Sequence, residues 1–276
     1  MIYITAQNKK VPALGYGTWK LKDKECSAGV EKAIEIGYRH IDTAQIYENE
    51  AEVGAGIAAS GVKRSEIFLT TKIWITELAD GKLQKSLDVS LKKLKTDHVD
   101  LLLIHWPITD VPFAEQMKAL QSVQKDGKAI LIGVSNYTVT QMKEVVEKIG
   151  AKAVCNQVEY HPYLSQKVLL DYMRPHGMFL TAYCPLARGN VANDAVLAKI
   201  AKKHNKTVGQ VTLRWLVQQD GVAAIPKAGS EKHMRENFEI FNFTLDAAEM
   251  KEISNLARPD GRLVSPDFAP KWDKAA

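Results

Sequence analysis

Short apolar segments alternate with longer amphipathic ones along almost the whole chain, and this rhythm restricts the fold more than any other feature. Segments that read as strands cover residues 13–17, 38–42, 67–72, 99–105, 129–135, 153–157, 179–183 and 222–226. Helical patterns lie near residues 24–36, 49–60, 80–95, 112–126, 138–149, 165–175, 193–204 and 208–219. In the third of these, Leu87, Leu91 and Leu94 recur at helical spacing with lysines on the other face. Thr138 is a candidate helix cap, and Gly150 a candidate stop after Glu147-Lys148-Ile149. Parallel neighbours need a crossover connection, and a helix is the usual one, so eight such alternations argue for parallel strands.

The fold expected from this pattern is a closed (β/α)8 TIM barrel, with residues 1–276 forming one domain. Residues 2–5 and 10–12 flank the polar turn Gln7-Asn8 and read as an N-terminal β-hairpin that closes one barrel end. Residues 245–256 read as one extra C-terminal helix, followed by an irregular tail over 258–272. An open doubly wound sheet is the alternative. That fold would normally open with a glycine-rich dinucleotide fingerprint, whereas Gly15-Tyr16-Gly17 lacks the spacing and reads as a tight turn.

Composition narrows the class of function. With 46% hydrophobic and 25% charged residues, the chain has an ordinary globular balance and enough apolar material for a barrel core. The net charge of +5 is mild, and the pairs Lys9-Lys10, Lys92-Lys93 and Lys202-Lys203 are scattered, which argues against a nucleic-acid track. A modest positive bias suits an anionic cofactor. Cys26, Cys155 and Cys184 are far apart, an arrangement that points away from a disulfide framework or structural zinc and toward a reducing compartment. No leader-like N-terminus and no apolar run of membrane-spanning length are visible, so the expected location is the cytoplasm, away from membranes. A monomer is expected because no extra dimerisation segment is evident.

In barrels of this kind, catalytic groups come from the C-terminal ends of several strands. The second proposed strand ends in Asp42, the third in Lys72 and the fourth in His105. The fifth leads into Ser135-Asn136, the sixth closes on Asn156-Gln157, the seventh on Tyr183, and Lys227 follows the eighth. Any one of these could be a satisfied strand-end hydrogen bonder, and Asp42 with Lys72 could be a purely structural ion pair. Seven polar strand ends in register argue for a common site. An ammonium beside a carboxylate keeps its charge, and that charge stabilises a nearby phenolate, so Tyr47 is expected to be a proton donor with a depressed pKa. His105 can orient a substrate carbonyl.

Several motifs extend this reading. Gly17-Thr18-Trp19, Tyr38-Arg39-His40-Ile41-Asp42-Thr43-Ala44 through Tyr47, Thr71-Lys72-Ile73-Trp74 and Leu103-Ile104-His105-Trp106-Pro107 occur in that order. Ile132-Gly133-Val134-Ser135-Asn136, Asn156-Gln157 and Ile225-Pro226-Lys227 follow. Together they resemble the aldo-keto reductase superfamily across essentially the whole chain. Within it, the short connections and the ending Arg262-Leu263-Val264-Ser265-Pro266 through Trp272-Asp273 are similar to bacterial 2,5-diketo-D-gluconate reductases of the B type.

The resemblance implies reduction of aldehydes or ketones by a nicotinamide cofactor, with Tyr47 as general acid, Lys72 tuning it, Asp42 holding Lys72, and His105 positioning the carbonyl. It implies cofactor contacts from Gly17, Thr18, Asp42, Ser135, Asn136, Gln157, Tyr183 and Leu186. Lys227, Ser230, His233, Glu236 and Asn237 would grip the adenosine end. Trp19, Trp74 and Trp106 would line the substrate pocket beside Tyr47 and His105. The implied substrates are methylglyoxal, 2-keto esters, aromatic aldehydes or keto sugar acids of the diketogluconate kind, and no metal is implied. Many relatives have arginine at the position of His233 and serine at that of Ala228. Arginine pairs with phosphate through two donors, so NADPH is the expected cofactor here, with a smaller margin over NADH. Weaker readings of the same residues are a nicotinamide-binding sensor, a barrel enzyme with a Schiff base on Lys72, and a metal-dependent hydrolase. Against the last, His40, His105 and His161 form no compact ligand pattern.

Overall fold

A computed structural model of the chain describes residues 1–107 and 110–273; within the span read as one domain, residues 108, 109 and 274–276 lie outside this description. The chain begins with an antiparallel hairpin, β1 (Tyr3–Ala6) and β2 (Lys9–Pro12), turning at Gln7 and Asn8. Both turn residues have positive φ, a conformation that asparagine tolerates better than most residues.

Eight parallel strands follow: β3 (Tyr16–Gly17), β4 (His40–Asp42), β5 (Phe68–Ile73), β6 (Val99–Ile104), β7 (Ala129–Ser135), β8 (Cys155–Glu159), β9 (Phe179–Tyr183) and β10 (Val222–Ala224). They pair in sequence order from β3 to β10. Hydrogen bonds also join the two ends of that order. Gly15 N–H donates to Ala224 O at 2.9 Å, Ala224 N–H to Ala13 O at 2.8 Å, and Gly17 N–H to Pro226 O at 3.1 Å.

The strands are apolar on both faces because both faces are covered. In β6, Leu101 and Leu103 belong to an inner cluster, while Leu102 and Ile104, on the other face, pack outward into the helical layer. The inner cluster also contains Phe68, Leu131 and Phe179, and it includes Ala6 and Val11 of the hairpin. The hairpin therefore caps the sheet at the end opposite the polar strand termini.

The outer layer is formed by α1 (Asp23–Ile36), α2 (Glu50–Ala59), α3 (Lys82–Leu94), α4 (Phe113–Lys125), α5 (Val139–Lys143), α6 (Lys167–Met173), α7 (Ala195–His204), α8 (Val208–Val217), α9 (Glu231–Phe238) and α10 (Ala247–Ser254). Thr138 caps α5 as expected, accepting from Gln141 N–H, and Gly150 follows its end with φ +72°. Over 144–148 that helix widens into a π-turn. The expected helix at 165–175 tightens into a 3-10 turn at Arg174, next to Pro175. Sequence reading missed α9, which is short and strongly polar. Its start signal is nevertheless present, since Ser230 accepts from His233 N–H.

Two expectations need correction. Strand β8 runs to Glu159, two residues beyond its expected end. Gly15-Tyr16-Gly17 is not a tight turn; Tyr16–Gly17 is a strand, and neither glycine has positive φ. These glycines serve close approach instead. A Cβ on Gly17 would stand 2.6 Å from Ile225 O, and one on Gly15 would stand 2.8 Å from the His40 ring. Among the described residues no helix is long and apolar enough to cross a membrane. Gly17→Ala is expected to lower the unfolding free energy by about 1–3 kcal/mol through this overpacking. Urea denaturation checks it; an unchanged midpoint would mean the junction between β3 and the segment after β10 is looser than described.

Candidate active site

The C-terminal strand ends converge on one buried ammonium. Lys72, near the end of β5, is 0% exposed and donates to Asp42 Oδ1 at 2.6 Å, Thr43 O at 2.8 Å and Tyr47 OH at 3.3 Å. All three ammonium protons thus have a partner. Asp42 closes β4, and its second oxygen accepts from Gln157 Nε2 at 2.8 Å. Asp42 therefore has a partner on each oxygen, which is what a carboxylate needs to be tolerated in such a place.

Tyr47 is carried by the 3-10 turn Gln45–Tyr47, and side-chain bonds fix that turn. Gln45 Nε2 donates to Ser86 Oγ at 2.7 Å and Ser90 Oγ at 3.0 Å, and Gln45 Oε1 accepts from Trp74 N–H at 2.8 Å. Asn49 joins the next layer, donating to Thr18 O at 2.9 Å and accepting from Thr43 Oγ1 at 2.7 Å. Sequence reading did not single out Gln45 or Asn49. Their signal was weak: amides beside a candidate catalytic tyrosine. His105 follows β6, with its ring 5.8 Å from that of Tyr47 and 5.3 Å from that of Trp74. Its Nδ1 is buried without a hydrogen-bond partner among the described residues.

The electrostatics overturn one expectation. Burial pushes the Tyr47 phenol well above the usual tyrosine range, and the Asp42 charge adds to the rise. The site does not depress it. The reason lies in the ion pair: with Asp42 only 2.6 Å from Lys72, the pair offers Tyr47 little net positive charge, so the desolvation of a phenolate dominates. Burial also lowers the Lys72 pKa, against the pull of Asp42. His105 is held well below the usual histidine range by burial and, secondarily, by Lys72, and it is neutral near pH 7.

Next to this cluster, Ser135, Asn136, Gln157 and Tyr183 form a linked set. Ser135 Oγ donates to Gln157 O at 2.8 Å, Asn136 Nδ2 donates to His105 O at 3.0 Å, and Tyr183 OH donates to Asn136 Oδ1 at 2.8 Å. Gly17 and Thr18 sit beside it, Thr18 Oγ1 donating to Asp42 O at 2.9 Å. Leu186 is half-buried against the core in the loop after β9. The expected adenosine-end residues form a separate patch. Lys227, Ser230 and His233 are exposed around the start of α9, whereas Asn237 is buried and Glu236 lies 3.8 Å from Lys232. Among the described residues, neither Lys227 Nζ nor the His233 ring pairs with a carboxylate. An ammonium and an imidazole beside a helix N-terminus are a donor set that fits a phosphate.

The tryptophans divide. Trp74 and Trp106 share a wall with Phe268 from the tail, at ring distances of 6.2 and 5.5 Å. Trp19 is 40% exposed, and Lys20 Nζ and the Arg188 guanidinium lie 4.6 and 5.7 Å from its ring. Sequence reading missed Phe268, an isolated aromatic in an irregular segment. Among the described residues no group of three or more His, Cys, Asp or Glu side chains is placed to hold a metal ion.

Residues 13–258 match the Aldo/keto reductase family. The chain belongs to that family. It is an oxidoreductase. This aldo/keto reductase is 45% identical over 267 residues to methylglyoxal reductase DkgB of Escherichia coli O157:H7, covering 95% of this chain and 99% of that protein. A solved structure provisionally named 2,5-diketo-D-gluconic acid reductase B superposes with a TM-score of 0.96 at 47% identity, over 99% of this chain and 98% of that one. A variant of Gox0644, determined in complex with NADPH, superposes with a TM-score of 0.90 at 34% identity, over 98% and 99% of the two chains.

The His105 environment sets a pH dependence. Its folded pKa lies well below 6.5 while the unfolded chain protonates near 6.5, so stability is full above that value and falls as pH drops through it. Between pH 7.5 and 5.5, wild type is expected to lose about 1 kcal/mol more unfolding free energy than His105→Gln. Urea titrations at both pH values check this, and a difference between the two proteins that does not vary with pH would overturn it.

Proposed function

We propose that this aldo/keto reductase reduces small aldehydes and ketones to alcohols with NADPH, with methylglyoxal as the leading substrate and 2-keto esters and keto sugar acids as further members of the class. The observation that carries the reading is the contact of one buried Lys72 Nζ with both Asp42 Oδ1 (2.6 Å) and Tyr47 OH (3.3 Å), beside His105. The reading takes residues 1–276 as one domain and the hydrogen bonds of Gly15, Ala224 and Gly17 as the closure of a (β/α)8 barrel. Cys26, Cys155 and Cys184 are free, which supports the reducing cytoplasm as its location.

A reduced nicotinamide, when bound, supplies the hydride. Ser135, Asn136 and Gln157 would hold its carboxamide, Tyr183 its ring face and Leu186 its pyrophosphate side. Gly17, Thr18 and Asp42 lie alongside. Lys227, Ser230, His233, Glu236 and Asn237 would take the adenosine end and its 2′-phosphate. Tyr47 gives its phenolic proton to the substrate oxygen. A raised phenol pKa does not prevent this, because an alkoxide is a much stronger base than a phenolate. Lys72 hydrogen-bonds the phenolate oxygen that is left, and Asp42 keeps Lys72 charged while it does so. His105, being neutral, can donate a hydrogen bond to the carbonyl as negative charge develops there. Trp74 and Trp106 supply apolar walls, with Trp19 at the rim.

Tyr47→Phe keeps the ring and removes the proton. It is expected to leave the NADPH dissociation constant within about twofold while lowering kcat for methylglyoxal by about a hundredfold or more. Near-full activity would remove Tyr47 from this role. The cofactor assignment has its own test. His233→Arg should raise the NADPH-to-NADH ratio of kcat/KM about tenfold, through the paired donors that imidazole lacks. An unchanged ratio would place the 2′-phosphate elsewhere.

A further inference from the structure

The two residues by which β8 exceeds its expected length end in a buried acid that the chemistry above does not use. Glu159 is 0% exposed, and its carboxylate faces the tail. Its Oε1 accepts from Leu263 N–H at 2.7 Å, and its Oε2 from Val264 N–H at 2.9 Å. His161 Nε2 lies 2.9 Å from Oε1, and Arg262 Nη1 lies 3.9 Å from Oε2. Charge-assisted bonds to two successive backbone amides fix the register of the chain that supplies them.

From that point the tail has no helix or strand of its own. It runs over the polar strand ends, where Phe268 meets Trp74 and Trp106 and the Trp272 ring lies 6.1 Å from that of Trp106. Its far end is tied by Asp273, which accepts from Val139 N–H at 2.8 Å. The Arg262 guanidinium stacks 3.7 Å from the Trp272 ring. The placement of Phe268 thus depends on an anchor at each side, and Glu159 supplies the buried one.

We propose that Glu159 is a positioning residue for carbonyl reduction: by gripping the backbone of Leu263 and Val264 it sets Phe268 against Trp74 and Trp106, and so fixes the size of carbonyl compound that the pocket holds well. The inference rests on the carbonyl-reductase reading above. A small dicarbonyl needs only Tyr47 and His105, whereas an aromatic aldehyde also needs the wall that Phe268 completes.

The test compares full-length wild type, Glu159→Gln, Phe268→Ala and the double variant with methylglyoxal and with benzaldehyde, alongside amide hydrogen exchange over residues 258–273. Glu159→Gln should speed exchange at Leu263 and Val264. It should raise KM for benzaldehyde about tenfold with kcat within about twofold, while KM for methylglyoxal changes less than about threefold. In the Phe268→Ala background it should add nothing further to KM, because both changes act through one contact. Unchanged exchange, additive KM effects, an equal loss on both substrates, or a fall in kcat at constant KM would each overturn the proposal. Should Glu159→Gln fail to fold, Leu263→Pro deletes one of the two amide donors, leaves the carboxylate in place, and should give the same split between substrates. Exchange needs no turnover, so a chain without reductase activity would refute the proposed function while the anchor is still decided.

Discussion

The buried pair of Lys72 and Asp42 is the interaction on which the rest of the site depends. Neither charge could sit at the strand ends alone, since an unpaired buried charge costs several kcal/mol. Together they make four hydrogen bonds, one to each other and one each to Thr43, Tyr47 and, across the sheet, Gln157. Asp42 is shared: one oxygen meets Lys72 beside Tyr47, and the other meets Gln157 in the set that includes Ser135 and Asn136. A change in either half is therefore felt by the other.

The pair also changes how Tyr47 is understood. A lysine near a tyrosine suggests a phenol made acidic by a positive charge. Here the carboxylate sits closer to the ammonium than the phenol does, at 2.6 Å against 3.3 Å, and burial decides the outcome. Tyr47 is a protonated phenol hydrogen-bonded by Lys72. Lys72 contributes a hydrogen bond to the phenol, while Gln45 and Asn49 hold the turn around it.

Much of this was legible in the sequence for a physical reason. Strands covered on both faces are almost wholly apolar, so the polar residue that ends each one stands out, as Asp42, Lys72 and His105 do. Parallel order follows from the alternation with helices. What stayed hidden lacks periodicity or depends on distant chain. Helix α9 is too polar to show an apolar stripe, and the close approach of Gly17 to Ile225 joins residues far apart in sequence. Glu159 carried no signal in the sequence, because its partners are backbone amides more than a hundred residues away, and amides leave no mark there. Phe268 was illegible for the same reason: only the folded tail brings it to Trp74 and Trp106.

The hairpin at the far end has a consequence for traffic. Ala6 and Val11 join Phe68, Leu101, Leu131 and Phe179 in one apolar plug, and among the described residues that end is filled with side chains. The polar groups around Lys72 stand at the other end, over which the tail is laid. Residues at the opposite end of the molecule thus set the side from which the candidate site is approached.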